Sequence, residues 1–152
     1  MEGVKQDIEQ LLAEGKNIQV NPRGYSMYPL LVPGRDRVII EPVKGYELKT
    51  GSVILYRRYT KDMKGVLILH RICKICEKGY YLVGDNQKEV EGPIKKEQVK
   101  GIMVGFIRKG KYISCKSFFY RVYGSVWLLL RPVRPIIGKN VARVKRRISK
   151  RR

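Results

Sequence analysis

Between residues 18 and 113 the apolar positions fall in short runs, broken by Gly or Pro about every eight to twelve residues. The runs at 38–40, 52–56, 66–75, 80–83 and 99–107 are rich in Val, Ile, Leu and Tyr, which predicts short strands joined by tight turns. Ahead of them Ile8, Leu11 and Leu12 recur at helical spacing among Asp, Glu and Gln, up to Gly15, and predict one short amphipathic helix over 6–13. After Cys115 the period changes to four. Phe118, Val122, Val126 and Leu130, with Phe119, Tyr123 and Trp127 beside them, predict a helix with an aromatic and aliphatic face, stopped by Pro132 and Pro135. There is no internal repeat. The expected architecture is mainly β, with a short N-terminal helix and a C-terminal amphipathic basic helix. The expected division is a helix and linker over 1–20, a β domain over 21–115, and the amphipathic helix with its basic tail over 116–152.

The chain has 152 residues, of which 43% are hydrophobic. One domain with a substantial core is expected, burying roughly 70% of the surface that the unfolded chain exposes. The formal charge of +20 is uneven: residues 131–152 hold ten Lys or Arg and no acid, so the first 130 residues carry the other +10. Such charge implies anionic partners and says nothing about fold. The longest uncharged stretch near the end, 122–130, is nine residues, whereas a spanning helix needs about 20. The start, Met1-Glu2-Gly3-Val4-Lys5-Gln6-Asp7, has neither the basic opening nor the apolar run of a secretory signal. Cytoplasmic placement is therefore expected, with the tail able to meet the cytoplasmic face of a membrane. Three cysteines in such a setting predict free thiols, and no cofactor is implied.

Three segments carry candidate chemistry. Gly24-Tyr25-Ser26-Met27-Tyr28-Pro29-Leu30 places a serine between a flexible and a stiff residue just ahead of the first strong strand run, a turn able to present a hydroxyl. The single histidine, His70, shares a strand face with Val66, Ile68 and Ile72. Apolar company disfavours the imidazolium and keeps His70 neutral, able to accept a proton; a core histidine with one satisfied hydrogen bond has the same sequence signature. Finally, residues 80–83 run into Gly84-Asp85-Asn86, followed by Glu89 and Glu91. A turn Asp is by default an Asx-turn former, yet nucleophile, base and acid in this order are the parts of an activated serine.

These segments, with Gly34-Arg35-Asp36 leading into a strand, Gly51-Ser52-Val53-Ile54, and His70-Arg71-Ile72, resemble the successive boxes of type I signal peptidases and the self-cleaving SOS-repressor (LexA-like) peptidases. The likeness covers residues 21–111. His-Arg, where bacterial leader peptidases have Lys-Arg, makes the chain similar to the endoplasmic-reticulum, archaeal and sporulation branch. The resemblance implies Ser26 as nucleophile, His70 as base, and Met27 and Pro29 as the wall beside the scissile bond. Asp85 matches the acid of the Gly-Asp-Asn box, while Glu91 stands where that branch places its triad acid, so the third member is open between Asp85 and Glu91. Gly24 stands where many bacterial members have a Ser whose hydroxyl helps hold the oxyanion, and Tyr25 replaces the usual Gly, which predicts a slow enzyme relying on backbone N–H groups. No N-terminal membrane anchor of the kind typical of signal peptidases is expected, and the expected substrate is a cytosolic or membrane-surface peptide with a leader or signal-like segment and small residues before the cut.

Other readings compete. The 118–130 helix with its basic tail has the parts of an interfacial anchor, each cation contributing about 1 kcal/mol near an anionic surface, or else the helix packs on the β body and the tail is solvated. His70, Cys73, Cys76 and Cys115 form a Cys3His zinc set in composition, but Cys73 and Cys76 would face opposite ways in a continuous strand. The charge admits non-specific, salt-sensitive nucleic-acid binding without a specific motif. Self-cleavage fits poorly, because only 25 residues precede Ser26 and none is an Ala-Gly pair. A catalytically weak or inactive peptide-binding relative completes the alternatives.

Overall fold

The computed structural model describes residues 2–62 and 64–133. Eight strands, β1 (Ile18–Val20), β2 (Asp36–Glu41), β3 (Val53–Tyr59), β4 (Gly65–Cys76), β5 (Gly79–Val83), β6 (Glu91–Ile94), β7 (Val99–Arg108) and β8 (Lys111–Ser114), are flanked by helices α1 (Glu2–Ala13) and α2 (Phe118–Leu129). All strand pairs are antiparallel, in the order β1-β2-β7-β3-β4-β5-β6, with β8 also on β7. The expectation of a mainly β chain with two short helices is what the structure shows. The five strands read from the apolar runs are β2, β3, β4, β5 and β7; β1, β6 and β8 are additional.

Both faces of the central strands are covered. Along β3, Val53 and Leu55 enter one apolar cluster with Leu31, Val38, Ile40 and Phe106, whereas Ile54 and Tyr56 enter a second with Ile72, Leu82 and Ile102. Period two therefore sorts a continuous apolar run into two cores. The β3/β4 register sets Ile54 opposite His70 and Tyr56 opposite Ile68. On β5 it sets Val83 opposite Arg71, and the chain then turns through Gly84-Asp85-Asn86.

A buried acid holds the segment between the Ser26 turn and β2. Asp36 accepts from the guanidinium groups of Arg35 and Arg108 and from the Val32 N–H at 2.8 Å. Burial opposes its ionisation, but the Arg108 and Arg35 hydrogen bonds and the Val32 amide outweigh it, and the carboxyl stays below its ordinary pKa. Arg108 also donates to the Leu30 carbonyl at 2.6 Å, which ties the end of the Ser26 loop to β7.

Ser117 caps α2, its hydroxyl accepting from the Tyr120 N–H. Only part of the aromatic and aliphatic face read from the period of four turns to the body, namely Tyr123 and Trp127. Tyr120, Tyr123, Gly124 and Trp127 face the sheet, while Phe118, Phe119, Val122, Val126 and Leu129 are exposed. Among the described residues no helix is long and apolar enough to cross a membrane. Pro135 and the basic tail beyond residue 133 lie outside the described residues.

Candidate active site

Ser26 sits in a loop fastened from below. Met27, Leu30 and Leu31 are core residues, Tyr28 N–H donates to the Tyr25 carbonyl, and Leu31 N–H donates to the Met27 carbonyl. Burying these neighbours leaves Ser26 half-buried and Tyr25 and Tyr28 exposed, their rings edge-to-face at 6.5 Å. Met27, only 4% exposed, thus supports the turn from inside, while Pro29 is half-buried at its edge. The Ser26 carbonyl accepts from the Asn86 N–H at 2.8 Å. A Cβ on Gly84 would lie 2.6 Å from that same carbonyl oxygen, so the Gly-Asp-Asn turn can approach Ser26 only with glycine at its head.

His70 is 5% exposed on β4, and its Nδ1 lies 3.3 Å from the Tyr56 hydroxyl. That hydroxyl donates to Glu91 Oε2 at 2.7 Å, and Arg58 Nη1 holds the same carboxylate oxygen at 3.2 Å. A carboxylate only accepts, so the Tyr56 hydrogen is committed to Glu91 and the Tyr56 oxygen receives the Nδ1 hydrogen of His70. This assigns the tautomer: Nδ1 is protonated and Nε2 keeps its lone pair. Burial lowers the His70 pKa below its ordinary 6.5; Arg58 adds to the effect, while Glu91 and Asp85 oppose it. Burial also raises the Tyr56 pKa, reinforced by its bond to Glu91, and the phenol remains a neutral hydrogen-bonding group.

The two acids go to different partners. Glu91 reaches His70 through Tyr56. Asp85, 1% exposed, meets Arg71 in a two-pronged pair, Nε to Oδ1 at 2.8 Å and Nη2 to Oδ2 at 2.9 Å. Arg71 also donates to the Gly51 carbonyl at 2.9 Å and lies under the Tyr120 and Tyr123 rings. Tyr123 donates to Asp85 Oδ2 at 3.4 Å, and Trp127 Nε1 donates to the Asp85 carbonyl at 2.6 Å. Burial opposes the Arg71 charge, but the Asp85 carboxylate more than offsets it and the guanidinium pKa is raised.

The Gly84-Asp85-Asn86 turn is tied to the Ser26 loop and to Arg71, the residue after His70 on β4. Ser26 joins it through its carbonyl and Arg71 through its grip on Asp85, whereas the His70 side chain points to the other face of β4, toward Tyr56. Among the described residues no hydrogen bond joins Ser26 Oγ to His70. Tyr56, Arg58, Tyr123 and Trp127 are site residues that the motifs did not indicate. Among the described residues no three His, Cys, Asp or Glu side chains are grouped to hold a metal ion. Cys73, Cys76 and Cys115 are free thiols, that of Cys115 pushed up to about 11 by burial. A groove of about 800 Å³ lies elsewhere, between α1 and residues 42–44 and 99–100. None of Ser26, His70, Asp85 or Glu91 lines it, and its Glu9 is committed to Arg57 at 2.7 Å.

Comparison of the chain with family models, curated proteins and solved structures finds no match.

Proposed function

We propose that this chain is a serine endopeptidase of the signal peptidase and SOS-repressor type, cutting a peptide within a leader or signal-like segment. The observation that supports it most is the neutral, buried His70, whose Nδ1–H is directed at a Tyr56–Glu91 pair, leaving Nε2 as the basic atom. Ser26 Oγ attacks the peptide carbonyl while Nε2 takes its proton, and the C–N bond then breaks as Nε2 returns the proton to the leaving amine. Water repeats the sequence on the acyl-enzyme and restores Ser26. The Tyr28 N–H is committed to Tyr25 and, among the described residues, neither the Ser26 nor the Met27 N–H donates to another backbone carbonyl. Those two amides are the oxyanion donors of this reading. Glu91, through Tyr56, holds the imidazole tautomer, and Asp85 with Arg71 holds the turn whose Asn86 N–H binds the Ser26 carbonyl. No cofactor enters these steps. The test is a comparison of neo-N-termini by mass spectrometry in cells carrying the native chain or Ser26→Ala at matched abundance. Termini that vanish with the hydroxyl identify the substrate; if none vanish, the peptidase reading falls.

Within that reading Tyr56 is a positioning residue. Tyr56→Phe removes the acceptor for Nδ1–H and is expected to lower kcat about tenfold or more with KM little changed. Glu91 favours the imidazolium, so Glu91→Gln is expected to move the acid limb of kcat/KM to lower pH. The limb is read from rates across pH 4–8. Rates and limb positions equal to the native chain in both variants would remove Tyr56 and Glu91 from the mechanism.

A further inference from the structure

Helix α2 is apolar on two nearly opposite faces. One face, Tyr120, Tyr123, Gly124 and Trp127, covers the Arg71–Asp85 pair. The other carries Phe118, Phe119, Val122, Val126 and Leu129; Phe118, Leu129 and Phe119 are 74%, 79% and 85% exposed. Positions 118, 122, 126 and 129 follow helical spacing, so these side chains form a stripe rather than scattered surface residues. The sequence around it is cationic. Lys116 and Arg121 are exposed beside it, and after Glu97 the sequence contains no acid but sixteen Lys and Arg.

We propose that this stripe docks on an anionic lipid bilayer, with α2 lying in the plane of the interface. An apolar stripe flanked by cations matches acyl chains beneath negatively charged headgroups. A second copy of the chain is the poorer occupant, because pairing two such surfaces would also bring two unbalanced cationic segments together. The docked helix would carry the Gly84-Asp85-Asn86 turn with it, since Trp127 donates to the Asp85 carbonyl and Asn86 donates to the Ser26 carbonyl. The Ser26 loop would then be tethered to the membrane-docked helix through that turn. What that tether means for a substrate rests on the peptidase reading; the docking itself does not.

The experiment is sedimentation of the full chain with vesicles of phosphatidylcholine alone or mixed with phosphatidylglycerol. The native chain and the triple variant Phe118→Ser, Phe119→Ser and Leu129→Ser are compared, with a thermal melt of each. The replaced side chains are exposed, so the melts are expected to coincide. Native chain bound to the anionic vesicles and weakly to the neutral ones, with binding by the variant reduced about tenfold or more, supports the proposal. It is overturned by no native binding at low salt, by equal binding to both lipids, or by a variant that binds like the native chain, in which case the cations act without the stripe. A native dimer that the triple substitution dissolves assigns the stripe to a second copy and also overturns it. Because binding is read without any cleavage, failure of the peptidase reading would leave this result intact.

Discussion

Alanine at Ser26, at His70, or at both is expected to lower kcat/KM for a cleaved peptide by nearly the same factor, about 10⁴-fold. A serine hydroxyl is a weak nucleophile near neutral pH, so its attack and the removal of its proton are one step. Deleting either partner abolishes that step, and deleting the second adds little. Independent roles would instead multiply, and a double variant far below both singles would refute the assignment. The pH profile gives a second reading of the same base. Burial keeps the folded-state pKa of His70 below 6.5, so kcat/KM is expected to hold as pH falls from neutrality and to decline only through an acid limb with its midpoint below 6.5. A midpoint above 6.5 would contradict a desolvated base. The same shift enters stability with a definite sign. Between the folded-state pKa and 6.5 the unfolded chain binds more protons at His70 than the folded chain, so the His70 contribution is lost as pH falls through that window. His70→Gln is expected to flatten that part of the stability curve in urea melts.

The parts of the site that could be read in the sequence are those held by local chemistry. Ser26 and Asp85 sit in Gly-containing turns, and the apolar neighbours of His70 on β4 already implied a neutral imidazole. Tyr56 could not be read this way. Its place beside His70 depends on the β3/β4 register, which sets Ile54 opposite His70, and that pairing is a long-range property of the sheet rather than a local pattern. Glu91 falls in β6, a four-residue strand containing Gly92 and Pro93, a composition that reads as loop. Strand β1 has only three residues and β8 only four, too few for alternation to register. The α2 period was legible but its orientation was not. The body face must meet a buried ion pair, and Tyr and Trp can donate hydrogen bonds to it while Phe cannot. Tyr123 and Trp127 therefore turn inward onto Asp85 and leave Phe118 and Phe119 outside.

Arg71→Met is expected to destabilise the fold by about 3–5 kcal/mol, the usual cost of breaking a buried ion pair from one side, lowering Tm by about 10 °C or more. The substitution strips the Asp85 carboxylate of two guanidinium N–H donors and the Gly51 carbonyl of a third, and it takes the cation from beneath Tyr120 and Tyr123. Arg71→Lys is expected to recover only part of the loss, because an ammonium cannot span both carboxylate oxygens and the Gly51 carbonyl with the planar geometry of the fork. The double variant Arg71→Met with Asp85→Leu separates the cost of a buried charge from the value of the pair itself. It is expected to be more stable than Arg71→Met alone. Trp127, the only tryptophan, reports the local consequence, since it stacks on Tyr123 at 5.7 Å and donates to the Asp85 carbonyl. Its emission should shift in Arg71→Met before global unfolding. Denaturant melts and fluorescence decide the matter together: a loss below about 1 kcal/mol with unchanged emission would mean that the α2 contact and the Asp85 turn do not depend on Arg71. The expected loss with shifted emission would make this pair the link that fastens α2 to the turn holding Ser26.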